Sequence, residues 1–301
     1  MDEIDLKISI LLTKNSRIPY RKMANEVELS VNAVHSRVQK MIDIGMIQEF
    51  YTKISLKAFK GVAVVSVEGE SKYDNIKDLI DKLGENNRTF KVISASGNYV
   101  YVHGLLKDVT QMNEYIDSVQ KEAELKNTEI FMPDMSDFEP LKEFEYSKLD
   151  YEIINSMHRN SRKPLSDVAD EVGVSSKTVR RRINRMKEAE AIEFSIKSTP
   201  TKTNDFITFF EMEIKPGFDR KKVMNTINRK FSPNITSVFL ASNAPMKLAA
   251  NVWTKNLDEI HRLKEELRDE GYFDSIVSRI YYYGKEFDTW RDDILKEKIE
   301  G

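Results

Sequence analysis

Between residues 177 and 185 the chain sets Lys177, Thr178, Arg180, Arg181, Asn184 and Arg185 around an apolar stripe of Val179, Ile183 and Met186. At a 3.6-residue period the stripe faces inward and the polar set faces outward, so one helix carries a dense array of cationic donors. A guanidinium forks onto guanine O6 and N7 or grips a phosphate, and an ammonium holds a phosphate as a point charge. A second helix has the same stripe, Val34, Val38 and Met41, but exposes Asn32, His35, Ser36 and Gln39, with Ser30 at its start. These are uncharged hydrogen-bonding groups suited to base edges, Asn and Gln matching adenine. Most charge runs are solvated helix faces. Placement on the third helix of a helix-turn-helix favours DNA here, because that helix enters the major groove. Arg37 and Arg182 lie beside the buried edge, where pairing within the domain or with the backbone is expected.

The elements that position these residues occur twice. Ile4-Asp5-Leu6-Lys7-Ile8 matches Leu149-Asp150-Tyr151-Glu152-Ile153, and Asn15-Ser16-Arg17-Ile18-Pro19 matches Asn160-Ser161-Arg162-Lys163-Pro164. The alignment runs without a gap from position 4 to 48 with 14 identities, which marks an internal duplication. Each copy reads as a first helix, the polar break Asn-Ser-Arg, a Pro-initiated second helix and a Ser-capped third helix. A strand over Ile47–Ile54 then supplies a β-wing, completing a winged helix-turn-helix. Two positions break the correspondence. Glu28 stands where the other copy has Gly173, and Glu190-Ala191 stands where the first has Gly45-Met46. A slightly distorted turn or wing is therefore expected in each copy. If one copy has kept only a structural role, the less basic first copy is the candidate.

Each winged helix is followed by strands and helices in the order βαββαβ, a ferredoxin-like module. In the first, a hairpin turns at Gly97-Asn98 and returns through Tyr99. The reading is thus an α+β chain of two winged helix-turn-helix domains alternating with two ferredoxin-like domains. Its boundaries are 1–60, 61–140, 141–202 and 203–285, with linkers near 58–60, 135–144 and 198–204. A charged helical tail over 286–301 carries a Trp290/Ile294/Leu295 stripe, able to pack on its own chain or on a partner.

This combination resembles the leucine-responsive (Lrp/AsnC, feast/famine) family of transcription regulators. The matching features are Leu/Ile-Asp…Ile, Asn-Ser-Arg, Ala-x-Glu-Val, Ser-x-x-x-Val-x-x-Arg-Val and Gly-Met-Ile, followed by the βαββαβ module. A tandem chain looks like a family dimer fused into one polypeptide. The resemblance implies double-stranded DNA as partner, a homodimer or an intrachain pseudodimer formed by the effector modules, and possible sensing of a small molecule. Family effectors bind around a Gly-x-Tyr-Asp hairpin. Gly97, Asn98 and Tyr99 fit it, but Val100 replaces the Asp and the second copy reads Asn243-Ala244-Pro245-Met246, so a plain turn competes evenly with an effector site. Siroheme decarboxylases resemble the same fold and use His in the effector-like module. Here His103 falls on a strand and His261 on a helix, so a tetrapyrrole enzyme is the lesser alternative and a protein-binding adaptor a third.

Composition sharpens this. The absence of Cys excludes disulfides, thiolate metal sites and Cys nucleophiles. No P-loop, Gly-x-Ser-x-Gly or His-rich metal spacing occurs, so neither a catalytic residue, a metal site nor a cofactor is expected. No apolar run approaches membrane-span length, and the acidic start Met1-Asp2-Glu3 is wrong for a signal peptide, so a cytoplasmic protein is expected. The net charge of −2 hides a division. Residues 1–60 and 141–202 carry +3 each, whereas 61–140 carry −7 and 203–301 carry −1. Two basic heads on acidic bodies suit DNA, since localised cations bind phosphates by counterion release whatever the global sum.

Overall fold

A computed structural model describes residues 1–141, 144–199 and 202–300. Parts of both later linkers, 142–143 and 200–201, and Gly301 of the tail lie outside the described residues. The chain divides into two compact units, and each is assembled from both repeats. One holds 2–62, 138–199 and 288–301; the other holds Met1, 63–137 and 200–287.

In the first unit, each head is three helices and one strand. The first head has α1 (Glu3–Lys14), α2 (Tyr20–Glu26), α3 (Val31–Asp43) and β1 (Ile47–Ile54). Capping boxes open α1 at Asp2/Asp5 and the equivalent helix of the second head at Ser147/Asp150. The second head has α6 (Lys148–Ser156), α7 (Leu165–Glu171), α8 (Ser176–Glu188) and β6 (Ile192–Ser198). The stripes expected to face inward do so: Val34, Val38 and Met41 are buried, as are Val179, Ile183 and Met186.

The expected wings are not separate. β1 pairs antiparallel with β6, running from Ile47↔Ser198 to Ile54↔Ile192, so each head contributes one strand to a shared ribbon. The register sets Phe50 opposite Ile196 and Tyr51 opposite Ser195. At the repeat offset of 145 these are each other's equivalents, so a pseudo-twofold axis passes between the two pairs. The same axis brings Ser16 Oγ within 2.5 Å of its own equivalent, Ser161 Oγ, both fully buried. Arg17 Nη1 donates to the carbonyls of Ser161 and Lys163, and Arg162 Nη2 returns a bond to Ile18 O at 2.9 Å. The Asn-Ser-Arg break is therefore the seam between the heads.

The anticipated turn distortions are absent. Glu28 (φ 55°) takes the left-handed conformation of Gly173 (φ 69°), and Glu190 (φ 53°) that of Gly45 (φ 74°). Both glutamates accept a Cβ–carbonyl conflict that glycine avoids, because the flanking helices fix the backbone.

The second unit contains β2 (Ala63–Ser71), α4 (Ile76–Leu83), β3 (Thr89–Ala95), β4 (Tyr99–Leu106), α5 (Met112–Glu122) and β5 (Leu125–Phe131). The repeat supplies β7 (Phe206–Ile214), α9 (Arg220–Lys230), β8 (Ile235–Leu240), β9 (Lys247–Thr254), α10 (Leu257–Asp269) and β10 (Phe273–Glu286). They form one eight-stranded sheet, β5-β2-β4-β3-β10-β7-β9-β8, in which each ferredoxin-like half keeps the same order. Of the two pairings open to the sequence, the structure displays the intrachain one, through β3 and β10. The outer edges also meet: Pro133 bridges Ala241, and Asp134 N donates to Leu240 O at 2.7 Å. Tyr101 of β4 stacks on Phe209 of β7 at 4.5 Å although two strands separate them, so the sheet curls until its halves face each other. β10 runs three residues beyond the expected Tyr283, to Glu286, and the tail helix α11 (Trp290–Glu300) is correspondingly shorter than 286–301. Its apolar stripe packs on its own unit: Trp290 and Leu295 are buried, and Trp290 meets Phe59 edge-on at 5.0 Å.

Candidate nucleic-acid interface

α8 forms because Ser175 caps it, its Oγ accepting from Thr178 N at 3.2 Å, and because its stripe fills the second head's core. Lys177, Arg180, Arg181 and Asn184 stand exposed on the opposite face. Among the described residues, neither Lys177, Arg180 nor Arg181 has a carboxylate within ion-pair distance. The other two arginines are drawn inward. Asp150, at 0% exposure, takes Arg182 Nη1 at 3.5 Å and Arg185 Nη1 at 3.4 Å on the same Oδ2. Arg185 also donates to Glu145 O at 2.9 Å and lies 4.5 Å over the Phe144 ring. Arg182 thus pairs within the domain as expected. Arg185, placed with the outward set from sequence, is partly spent on holding α8 to α6. Thr178 is half-buried and shares its hydroxyl with Ser175 at 3.0 Å. The outward set narrows to Lys177, Arg180, Arg181 and Asn184.

α3 is built alike, with Ser30 accepting from Ala33 N at 3.1 Å. Arg37 sits 2.7 Å from Asp2 and 2.6 Å from Asp5, bonds that hold its guanidinium above its ordinary pKa. Asn32, His35, Ser36 and Gln39 are all exposed, as the periodicity required. Gln39 Nε2 donates to Asp43 at 2.9 Å, and His35 packs on Tyr20 at 5.1 Å between ring centres. Tyr20 in turn carries Arg162 of the other head at 4.5 Å. Asn32 and Ser36 remain as the outward polar groups. The exposed apolar residues Val31, Ile42 and Ile44 flank this face, and α8 has no counterpart among the exposed large hydrophobics.

Sequence reading did not assign Arg17 and Arg162 to the head seam. The available signal was that Asn-Ser-Arg is identical in both copies while its flanks diverge.

The effector-module candidates are less open. Gly97 (φ 79°) and Asn98 (φ 54°) make the hairpin turn, and Tyr99 is 4% exposed with the Arg279 guanidinium 3.8 Å from its ring centre. Arg279 Nη1 and Tyr101 Oη both reach Glu211 at 2.6 Å. Burial, with Glu211 nearby, pushes Glu68 up to about 8. The second hairpin fills the opposite seam, where Asn243 donates to Ile130 O and accepts from Met132 N. Both hairpins are therefore committed to pairing the halves. His103 lies on β4 beside Phe90, where burial lowers it to about 3 and leaves the ring neutral, and His261 is exposed on α10. Among the described residues, no helix is long and apolar enough to cross a membrane.

Residues 1–48 match the model of a winged helix-turn-helix DNA-binding domain, and residues 147–187 match the AsnC-type helix-turn-helix domain. An HTH-type transcriptional regulator of Pyrococcus abyssi is 28% identical over 122 residues, 40% of this chain and 82% of its own length. The HTH-type transcriptional regulator LysM of Saccharolobus solfataricus is 28% identical over 121 residues, 40% of this chain and 84% of its own. Over the whole chain, the crystal structure of the siroheme decarboxylase NirDL superposes with a TM-score of 0.61, covering 99% of both chains at 11% identity. That likeness is one of fold.

Proposed function

Starting from a chain that is a tandem Lrp/AsnC-type helix-turn-helix protein, we propose that it regulates transcription in the cytoplasm as a DNA-binding pseudodimer, one chain doing the work of two family subunits. The observation that carries this is the exposed, carboxylate-free cation set Lys177, Arg180 and Arg181 on the third helix of a head. Structural ion pairing consumes the neighbouring arginines and leaves these three unbalanced. A phosphate or a guanine edge would supply the missing acceptor.

The heads divide the labour. α8 anchors the backbone and reads guanine, while α3 contributes Asn32 and Ser36 to a weaker, uncharged reading. With their seam fixed by the β1–β6 ribbon, the two helices act as one rigid reader, and the DNA site is asymmetric rather than palindromic. The test is selection of bound genomic fragments followed by anisotropy titrations over a salt series. If Arg180→Ala combined with Arg181→Ala leaves affinity and salt slope unchanged, α8 is not the reader.

The whole-chain likeness to NirDL supports a second reading, a decarboxylase acting on a siroheme-like tetrapyrrole. It predicts that the full chain binds an iron tetrapyrrole with a haem-like absorbance band. His103 and His261 do not occupy equivalent places, and the ring of Tyr99 is closed over by Arg279, so the DNA reading is preferred.

A further inference from the structure

Beside the head seam, two segments of the chain converge on one small polar centre. His158 follows α6, while Asp288 precedes α11 and Asp292 lies in its first turn. One ligating atom from each lies within 4.8 Å of the other two.

The hydrogen bonds at this centre leave a specific deficit. His158 Nδ1 is 3.0 Å from Thr52 O. A carbonyl only accepts, so Nδ1 carries a proton and Nε2 is the ring nitrogen left to turn elsewhere. Nε2 faces Asp292 Oδ1, 3.5 Å away. Asp292 is 3% exposed; its Oδ2 takes Lys53 Nζ at 2.9 Å and Thr289 N at 2.8 Å, while its buried Oδ1 has no hydrogen-bond partner. The two atoms stand farther apart than a charge-assisted hydrogen bond, and Asp292 Oδ1 is left without a donor.

We propose that His158 Nε2, Asp292 Oδ1 and an Asp288 carboxylate oxygen form a binding site for a first-row divalent metal ion. The separation of His158 Nε2 and Asp292 Oδ1 suits it. Ligand atoms each about 2.1 Å from one ion at the tetrahedral angle stand about 3.4 Å apart, whereas a charge-assisted hydrogen bond wants about 2.8 Å. The His tautomer is fixed by a backbone carbonyl, the outer-sphere arrangement that metal-binding imidazoles use. One imidazole with two carboxylates and no thiolate fits zinc, cobalt or manganese better than copper(I), and the imidazole disfavours calcium and magnesium.

Asp288 is now held by Lys197 at 3.2 Å and Arg159 at 2.5 Å. Both cations already reach Glu49, at 3.7 Å and 3.3 Å, so Asp288 can turn to a metal without leaving either one unpaired. Asp288 is also the most exposed of the three, with a side chain 34% accessible, and gives the ion a route in. A bound ion would fasten the tail helix to the turn after α6 and, through His158 and Thr52, to β1.

The test uses the full, untagged chain after chelation, titrated calorimetrically with zinc and followed by visible absorbance with cobalt(II). One ion per chain is expected, with a cobalt d–d band. His158→Ala should weaken zinc at least about tenfold and alter the band. Asp288→Asn, which leaves the bonds of Asp292 to Thr289 and Lys53 intact, should weaken it in the same direction, with circular dichroism verifying the fold of both variants. Absence of saturable binding, or the same affinity and spectrum in His158→Ala, would overturn the site.

Discussion

The two heads share a backbone and differ in what they do with charge. In the first, Arg37 is consumed by Asp2 and Asp5 and the outward face of α3 is left uncharged. In the second, a single buried carboxylate, Asp150, draws Arg182 and Arg185 inward, and Lys177, Arg180 and Arg181 remain outside as surplus. Duplication preserved the device that orients the third helix, an acidic residue at the third position of the first helix. The residues that face outward were free to diverge. Among these residues the ones that hold the fold are paired and the candidates for function are not.

The largest effect should come from removing that surplus. Arg180→Ala with Arg181→Ala is expected to cost about a hundredfold in DNA affinity at moderate salt and to lower the log–log salt slope by about 2. Asn32→Ala with Ser36→Ala should leave the slope unchanged. Equal slopes in the two double variants would erase the distinction between the heads.

The bodies offer a parallel contrast. Glu68 and Glu211 both stand sixth in their strands, β2 and β7, yet Glu68 is buried whereas Glu211 is half-buried and takes Arg279 and Tyr101; Glu213, two residues on, is exposed. Burial raises Glu68 to about 8, so the folded state holds a proton that the unfolded chain, with an ordinary carboxyl near 4.5, has released. Stability from this group is full below pH about 4.5 and is lost as pH rises towards about 8. Between pH 6 and 9 the loss should reach about 2–3 kcal/mol, read as a falling urea midpoint. Glu68→Gln should flatten that profile and Glu213→Gln should not.

The smallest effects concern the turns. Gly173→Ala meets no atom within 4 Å of the new Cβ, so its cost is the left-handed backbone alone, about 1 kcal/mol. Glu28→Gly, at the equivalent position, should stabilise by up to about 1 kcal/mol, since relief of the turn is partly offset by the entropy of glycine. Thermal unfolding of both variants checks whether the two turns are as alike as their φ values.

Much of this was legible in the chain. The helices, the inward stripes and the outward placement of Asn32, His35, Arg180 and Arg181 follow from a 3.6-residue period, which short-range geometry enforces. Which outward arginines are engaged was not legible. Arg185 and Arg180 look alike in sequence, and only the approach of Asp150, 35 residues away from Arg185, separates them. The wings misled for a similar reason: Ile47–Ile54 reads as a strand, but a strand does not name its partner, and the partner lies in the other repeat. The same holds for Tyr99, a plausible ligand contact until Arg279 of the opposite half covers it.

The sequence by itself determined a duplicated unit, its element order and a basic-head, acidic-body division, because repetition, periodicity and charge are properties of the chain. Only the tertiary structure decided that like pairs with like across a pseudo-twofold axis, with Ser16 on Ser161 and β1 on β6. It also brought His158 to Asp288 and Asp292. Contacts of that kind join residues more than a hundred positions apart, and the free energy that selects them, burial of one repeat's face against the other's, has no local signature.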